Sequence, residues 1–180
     1  MPESIKTAFF GGGCFWCTEA VFKMIKGVIS VEPGYAGGIK ENPTYEEVST
    51  GSTGYIEVTK IEYDPEKISF RDLLAVFFSS HDPTSMDRQG NDAGHQYRSV
   101  IFYTTDDQKI EAEAAIIDIN NSSKEGRPIV TEIRSIDRFH AAEDYHKDYY
   151  EKHREVPYCT LIIDPKLDKI RKRFRELIKS

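Results

Sequence analysis

The chain has 180 residues, of which 39% are hydrophobic and 30% charged, a globular composition that indicates one domain over residues 1–180. Its formal net charge of −6 disfavours nucleic acid as a partner, because phosphate binding needs a concentrated positive field. No apolar stretch reaches the roughly 18 residues of a membrane helix, and the first residues do not resemble a secretory leader. We therefore expect a cytoplasmic protein that does not bind membranes.

Predicted strands and helices alternate along the chain. In chain order they are strand 5–10, a helix from Cys14, strand 28–31, strand 55–63, helix 69–80, strand 99–103, helix 105–120 capped by Thr105 or Asp106, strand 128–136, helix 141–152, strand 160–163 and an amphipathic helix from 166. Two long loops, over residues 32–44 and 81–97, are rich in glycine, proline and polar residues, which is typical of functional loops. The order predicts one α/β domain with a mixed sheet covered by helices.

A run of basic residues near the C-terminus has helical spacing. It comprises Lys166, Lys169, Arg171, Lys172, Arg173 and Arg175. We interpret it as the solvated face of the last helix, since charge runs of this kind usually face water.

The cysteines indicate redox or nucleophilic chemistry. Their number is odd, so Cys14, Cys17 and Cys159 cannot form a fully paired framework within one chain. Cys14 stands where a helix starts, and unpaired backbone N–H groups and the helix dipole there favour a thiolate. The three preceding glycines allow close backbone approach to a ligand, and Phe15 and Trp16 provide aromatic surface beside the sulfur.

Other uses of these residues remain open at this level. Cys14 and Cys17 also match the C-x-x-C pattern of thioredoxin-like dithiol oxidoreductases, or they are ordinary buried cysteines. A metal enzyme, a cysteine hydrolase and a non-catalytic aromatic groove for peptides are further alternatives. The metal alternative rests on five histidines without a recognised ligand motif: His81, His95, His140, His146 and His153.

Several sequence blocks resemble those of the A-type peptide methionine sulfoxide reductases. They are Gly-Cys-Phe-Trp at 13–16, Gly-Tyr-Ala-Gly-Gly at 34–38, Asn-Pro-Thr-Tyr at 42–45, the strand with Glu57, His-Asp-Pro-Thr at 81–84, Arg-Gln-Gly-Asn-Asp at 88–92, Gln-Tyr-Arg-Ser at 96–99 and Ala-Glu-Asp-Tyr-His at 142–146. The blocks follow the family's order and cover nearly the whole chain.

The resemblance implies a reaction and a role for each site residue. Cys14 would attack the sulfur of methionine-S-sulfoxide, and Glu57 would protonate the departing oxygen, an acid role suited to a carboxyl group whose pKa an apolar pocket raises. The remaining roles concern the substrate: Tyr45 and Tyr97 hold the sulfoxide oxygen, Phe15 and Trp16 line the pocket for the ε-methyl group, and Asp92 positions the substrate backbone.

The resemblance also implies how the enzyme is regenerated. A sulfenic acid on Cys14 would condense with a second thiol, and Cys159 matches the family's usual resolving cysteine. Cys17 is the alternative, since a C-x-x-C pair closes readily. The reductant would be thioredoxin, or dithiothreitol in vitro, with no bound cofactor or metal. The implied fold is a two-layer α/β sandwich of the ferredoxin-like plait type, and we expect a monomer that acts on oxidised proteins and peptides.

Overall fold

The structure, a computed structural model, describes residues 4–39, 41–122 and 127–179. Lys40, in the predicted loop 32–44, therefore lies outside the described residues. So do residues 1–3, at the start of the chain. The strands are β1 Lys6–Gly11, β2 Val28–Ala36, β3 Ile56–Tyr63, β4 Arg88–Gln89, β5 Asp92–Ala93, β6 Val100–Tyr103, β7 Glu132–Ser135 and β8 Phe139–Ala141. The α-helices are α1 Phe15–Lys23, α2 Tyr45–Ser49, α3 Phe70–Ser79, α4 Asp106–Ser122, α5 Tyr149–Lys152 and α6 Asp164–Arg173.

Six strands form one mixed sheet in the order β7-β6-β1-β3-β2-β8. Strands β6 and β7 are parallel, whereas the other neighbours are antiparallel. Strands β4 and β5 form a separate hairpin within the loop predicted at 81–97. The prediction of an α/β fold with a mixed sheet is therefore confirmed. No helix in the described parts of the chain is long and apolar enough to cross a membrane.

Each face of the sheet buries its own apolar cluster, because alternate residues of a strand point to opposite faces. In β1, Ala8 and Phe10 belong to the larger cluster, which includes residues of α1, α3 and α6. Phe9 points the other way and packs with Ile56 and Val100. Helices α1 and α3 follow β1 and β3 directly, so α1 begins at one end of the central strands.

Side-chain hydrogen bonds are present at the starts of two predicted helices, and the one at α4 was itself predicted. The Thr105 hydroxyl accepts a hydrogen bond from the Gln108 N–H, as expected for the cap of α4. The Ser69 hydroxyl accepts one from the Asp72 N–H at the start of α3, the predicted core helix. These bonds satisfy backbone donors that the first turn of a helix leaves unpaired.

Strand β2 is longer than predicted, since it continues through Pro33 and Gly34. Pro33 has no N–H, but the β8 ladder pairs only with residues 34–36, so Pro33 lies at its end. At Gly34 a Cβ atom would lie 2.3 Å from the Phe139 ring and 2.5 Å from the His140 carbonyl oxygen. Glycine here permits the close approach of β8 and does not break the strand.

Two elements near the C-terminus were predicted wrongly. The helix expected at 141–152 is instead the end of β8, a 3₁₀ turn over Asp144–His146 and the four-residue α5, with Asp148 left-handed at φ 56° between them. The strand expected at 160–163 is a π-helical turn over Cys159–Ile163 that runs into α6. Its β-branched residues favoured a strand locally, but burial of Cys159 and Ile163 on one helical face prevails.

Candidate active site

Cys14 is the residue that precedes the first turn of α1, as predicted from the sequence. Its side chain is only 8% exposed, and its carbonyl oxygen accepts hydrogen bonds from the N–H groups of Cys17 and Thr18. Gly13 reaches it with φ at +90°, a conformation that L side chains rarely adopt, and a Cβ there would lie 2.9 Å from Gln89. The chain therefore turns sharply from β1 to present Cys14 at the helix start.

The thiols of Cys14 and Cys17 lie together in the site, and the pKa of each depends on the other. Burial, followed by the neighbouring Cys17 thiol, raises the pKa of Cys14. The Cys14 thiol lowers the pKa of Cys17 to about 6. The expectation that the helix start favours a Cys14 thiolate stays a prediction, and burial of the sulfur acts against it.

The backbone at the start of α1 supplies little stabilisation to a Cys14 thiolate. Of the N–H groups at the start of α1, that of Phe15 donates to Glu57 and those of Cys17 and Thr18 donate to the Cys14 carbonyl oxygen. The Trp16 N–H is the one group of this first turn that interacts with the Cys14 sulfur, and it lowers the pKa of that thiol. One such donor is outweighed by nearly complete desolvation of the sulfur.

Glu57 lies on β3 behind the start of α1 and is 1% exposed. Its Oε1 atom accepts a hydrogen bond of 3.1 Å from the Phe15 N–H, whereas buried Oε2 has no hydrogen-bond partner among the described residues. Burial raises the pKa of Glu57 to about 8, so the carboxyl group is mainly protonated at neutral pH. An unengaged acid proton close to a buried thiol can protonate a leaving group.

Aromatic rings form a box beside Cys14. The Trp16 ring stacks on Tyr149 with centroids 3.8 Å apart, and its Nε1–H donates to His146 Nδ1 at 2.9 Å. Phe15 and Tyr45 approach the same histidine, with ring centroids at 5.0 and 4.4 Å. We name Phe15, Trp16, Tyr45, His146 and Tyr149 the aromatic box, an environment suited to a small apolar group.

The tyrosines and the aspartate predicted for the site, Tyr45, Tyr97 and Asp92, all lie near the thiols. Burial raises the pKa of Tyr45 to about 12, so its hydroxyl remains a neutral donor. Burial also raises the pKa of Tyr97, with further contributions from the nearby charges of Glu57 and Cys14. Asp92 lines a cavity of about 690 Å³ together with Cys14 and Cys17.

Tyr158 connects Asp92 to the second thiol. Its hydroxyl donates to Asp92 Oδ2 at 2.7 Å and lies 3.6 Å from Cys17 Sγ. The Tyr158 ring also meets Trp16 edge-on, with centroids 5.8 Å apart. Cys17 is therefore held within the site and faces the same cavity as Cys14.

Cys159 is placed differently from the other two thiols. It is 0% exposed and belongs to the same core cluster as Cys14 and Cys17, but it does not line the cavity that contains those two residues. Burial raises the pKa of its thiol. All three cysteines are free in the structure. Its role as resolving thiol stays a prediction.

Sequence reasoning assigned no site role to His146, Tyr149, Tyr158 or Glu143. Glu143 accepts hydrogen bonds from the Tyr35 hydroxyl and the Tyr45 N–H, and so fixes the start of α2. The block at 142–146 and the aromatic pair at 149–150 were visible signals, but their partners lie about 100 or more residues away in the chain. Across the described ranges, no group of three or more His, Cys, Asp or Glu side chains could hold a metal ion.

The α/β fold and this site together define a thiol-dependent enzyme: two buried thiols, a neutral carboxyl group and an aromatic box. The sequence matches the model of the peptide methionine sulfoxide reductase family over residues 6–178. A Sulfolobus acidocaldarius protein named peptide methionine sulfoxide reductase MsrA is 54% identical over 170 residues, which cover 94% of this chain and 96% of that protein. A Thermus thermophilus protein of the same name is 50% identical over 179 residues, 99% of each chain.

Solved structures agree. Mxr1 from Saccharomyces cerevisiae in reduced form superposes with a TM-score of 0.79 at 35% identity, covering 85% of this chain and 88% of that one. Mxr1 in complex with Trx2 gives a TM-score of 0.58 at 25% identity, covering 83% and 87% of the two chains. The chain belongs to the peptide methionine sulfoxide reductase family, and the resemblance found in its sequence is confirmed.

Proposed function

We propose that this protein reduces methionine-S-sulfoxide, in proteins and as the free amino acid, to methionine, with Cys14 as nucleophile and Glu57 as general acid. The observation that carries the proposal is the position of Glu57, a buried carboxyl group with one free oxygen beside the start of α1. Sulfoxide oxygen leaves only when protonated, and a neutral carboxylic acid next to a thiol supplies that proton.

Substrate binding is divided between apolar and polar groups. Trp16 and Phe15 in the aromatic box receive the ε-methyl group, which fits their apolar surfaces. The neutral hydroxyls of Tyr45 and Tyr97 hold the sulfoxide oxygen without adding a buried charge. Asp92 positions the substrate backbone from the cavity side of Cys14.

The chemical step begins with proton transfer between the thiols. Cys17 thiolate accepts the Cys14 proton, and the Cys14 thiolate attacks the sulfoxide sulfur to form an S–S bond while Glu57 protonates the oxygen. The hydroxyl group then moves to the Cys14 sulfur as the S–O and S–S bonds to the substrate sulfur break, which leaves a lone pair on the thioether. The products are the methionine thioether, a Cys14 sulfenic acid and a Glu57 carboxylate that takes up a proton from water.

The sulfenic acid is then resolved by a second thiol. We propose Cys17, because its thiol and that of Cys14 line one cavity and influence each other's pKa. Its attack forms the Cys14–Cys17 disulfide and releases water. Cys159, which the family resemblance implies, is the second candidate. The complex of yeast Mxr1 with Trx2 supports thioredoxin as the reductant of the final disulfide, with no bound cofactor.

The first test is reduction of a peptide that contains S-methionine sulfoxide, with dithiothreitol as reductant, by wild type and Cys14→Ser in parallel. We expect turnover by wild type, none by Cys14→Ser and none on the R epimer. If wild type reduces neither epimer, the proposal fails, and a general dithiol oxidoreductase built on Cys14 and Cys17 takes its place.

The resolving thiol is tested with thioredoxin in place of dithiothreitol. We expect Cys17→Ser to release one equivalent of methionine in a burst and then stop, whereas Cys159→Ser continues to turn over. The reverse pattern would assign the resolving step to Cys159.

We also propose that residues 1–180 form one domain of the ferredoxin-like plait type. The support is the order β6-β1-β3-β2, all antiparallel, in which α1 connects β1 to β2 and α3 precedes β6. Strands β7 and β8 extend this unit at its two edges. The monomeric state and the cytoplasmic location stay predictions.

A further inference from the structure

Glu19 is a buried carboxyl group that the proposed mechanism does not use. It lies on α1 one turn after Trp16 and is only 2% exposed. Burying a carboxylate costs free energy unless hydrogen bonds or opposite charges compensate the loss of water. The partners of a buried carboxylate therefore indicate what it does.

Glu19 contacts Asp148, which lies on the segment that carries two of the five residues of the aromatic box, His146 and Tyr149. Its Oε2 atom accepts a hydrogen bond of 3.1 Å from the Asp148 N–H and lies 4.0 Å from Lys23 Nζ. Lys23 in turn pairs with the Asp148 carboxylate. Asp148 is held in the left-handed region at φ 56°, which is uncommon for a non-glycine residue and requires support from its surroundings.

Asp148 lies between the two residues that fix the orientation of Trp16. His146, two residues before it, accepts the indole N–H, and Tyr149, one residue after it, stacks on the indole ring. Elements of regular structure on this segment are a single 3₁₀ turn and the four-residue α5, which are too short to hold themselves in place. Its attachment to α1 therefore depends on contacts such as the bond to Glu19.

We propose that Glu19 is a positioning residue for the reductase: by holding the Asp148 N–H against α1, it keeps His146 and Tyr149 on Trp16 and so shapes the pocket for the substrate methyl group. This inference rests on the proposed function only for the identity of the substrate. Trp16 and Glu19 lie on α1, whereas His146 and Tyr149 flank Asp148. The hydrogen bond between Glu19 and Asp148 therefore connects Trp16 to the two residues that contact its ring.

Trp16 is the only tryptophan of the chain, so its fluorescence reports on the box without any assay of activity. In Glu19→Ala we expect acrylamide quenching of Trp16 to increase about twofold, because the stacked ring becomes more accessible as the segment loosens. Glu19→Gln retains an oxygen that accepts from the Asp148 N–H but loses the charge that attracts Lys23, so its quenching should lie between that of Glu19→Ala and that of wild type above pH 7. Glu151→Ala, an exposed acid on α5, is the matched control.

Kinetics separate positioning from a general loss of fold. We expect Glu19→Ala to lower kcat/KM for the sulfoxide peptide roughly 10- to 100-fold through KM, with Glu19→Gln rescuing most of the loss. A merely structural role would lower the active fraction, and hence kcat, while KM and quenching of the folded fraction stay unchanged. That result, or equal effects of Glu19→Gln and Glu19→Ala, would overturn the proposal.

A measurement on the wild type needs no variant to fold. Burial raises the pKa of Glu19 to about 7, so protonation below this pH weakens its bond to Asp148, and quenching of Trp16 should increase as pH falls. The groups that face Glu19 from neighbouring elements are Lys23, Lys147, Asp148, Tyr150, Glu151, Lys152 and Arg171. His146, which contacts Trp16 directly, has its pKa lowered by burial and titrates below this range.

The Glu19→Gln variant assigns the transition, because it should lack the quenching change near pH 7. A change that persists in Glu19→Gln would contradict the proposal. If the fluorescence results hold but wild type reduces no sulfoxide, the proposed function fails and the positioning role of Glu19 stands.

Discussion

Glu57 shows how burial of one side chain determines a chemical role. Its carboxyl group is protonated at neutral pH because it is removed from water, and its Phe15 contact fixes one oxygen while leaving the other available. A strand residue exposed to solvent would be ionised and unable to act as an acid. Glu62, on the same strand, is only partly buried and accepts a hydrogen bond from the exposed Ser30 hydroxyl.

Glu57→Gln should therefore abolish most of the chemistry while keeping the fold. The amide oxygen still accepts from the Phe15 N–H, but the acid proton is lost, and we expect a fall of about 10²- to 10⁴-fold in the single-turnover rate of Cys14 oxidation. Quenched-flow measurement of methionine release tests this, with Glu62→Gln as control. Equal rates for both variants would remove Glu57 from the mechanism.

The thiol pair and Glu57 together predict the pH dependence of kcat/KM. The rate should rise as Cys17 loses its proton near pH 6 and fall as Glu57 loses its proton near pH 8, giving a bell-shaped profile. Single-turnover rates of methionine release at low substrate concentration, on both sides of these two values, test both limbs. Cys17→Ser should lose the acidic limb, and an unchanged profile would show that Cys17 does not accept the Cys14 proton.

At the scale of elements, the segment after Cys159 illustrates what local propensity misses. Its residues Thr160 to Ile163 include β-branched side chains typical of a strand, yet the segment is a π-helical turn. The decisive pattern spans a longer range, since Cys159, Ile163, Leu167 and Ile170 are buried at helical spacing.

Two substitutions distinguish these arrangements. A strand would place Leu161 and Ile163 on one face, whereas the helical turn leaves Leu161 71% exposed and buries Ile163 completely. We expect Ile163→Ala to lower the free energy of unfolding by about 2–5 kcal/mol and Leu161→Ala by less than about 1 kcal/mol. Urea unfolding measures both, and comparable losses would support the strand.

Elements whose pattern agreed with their burial were predicted well. Strand β3 and helix α3 have clear periodicities and local start and stop signals, so their bounds differ from prediction by one residue. The end of β2 and the segment around Asp148 could not be predicted, because the reasons lie in contacts with β8 and Glu19. The sequence predicted that Cys14 stands at a helix start and that Glu57 lies on a strand, whereas their neighbours on the 144–158 segment were not predicted.

At the scale of the whole molecule, a buried neutral acid makes the free energy of unfolding depend on pH. Glu57 has a pKa of about 8 in the folded chain against 4.5 when solvated, so the folded state binds more protons between these values. Its favourable contribution is fully present below pH 4.5 and is lost as pH rises through about 8.

Glu57→Gln removes this dependence, since glutamine does not titrate. Relative to wild type, the variant should gain a few kcal/mol of unfolding free energy between about pH 5 and about pH 9, at about 1.4 kcal/mol per pKa unit. Urea unfolding of both proteins at each pH provides the comparison, which cancels contributions from Cys17 and the histidines. A constant difference between the two proteins would indicate that Glu57 is ionised in the folded state.

The hydrogen bond from Trp16 to His146 joins residues 130 positions apart. During synthesis, Cys14 and Cys17 therefore leave the ribosome long before His146, Tyr149 and Tyr158, which pack around them. Because contacts between distant segments form late in folding, a nascent chain carries Cys14 and Cys17 without their walls for most of its elongation. Until then, the enzyme's own thiols are exposed to the same oxidants whose damage it repairs. They become buried only when the segment around His146 packs against α1.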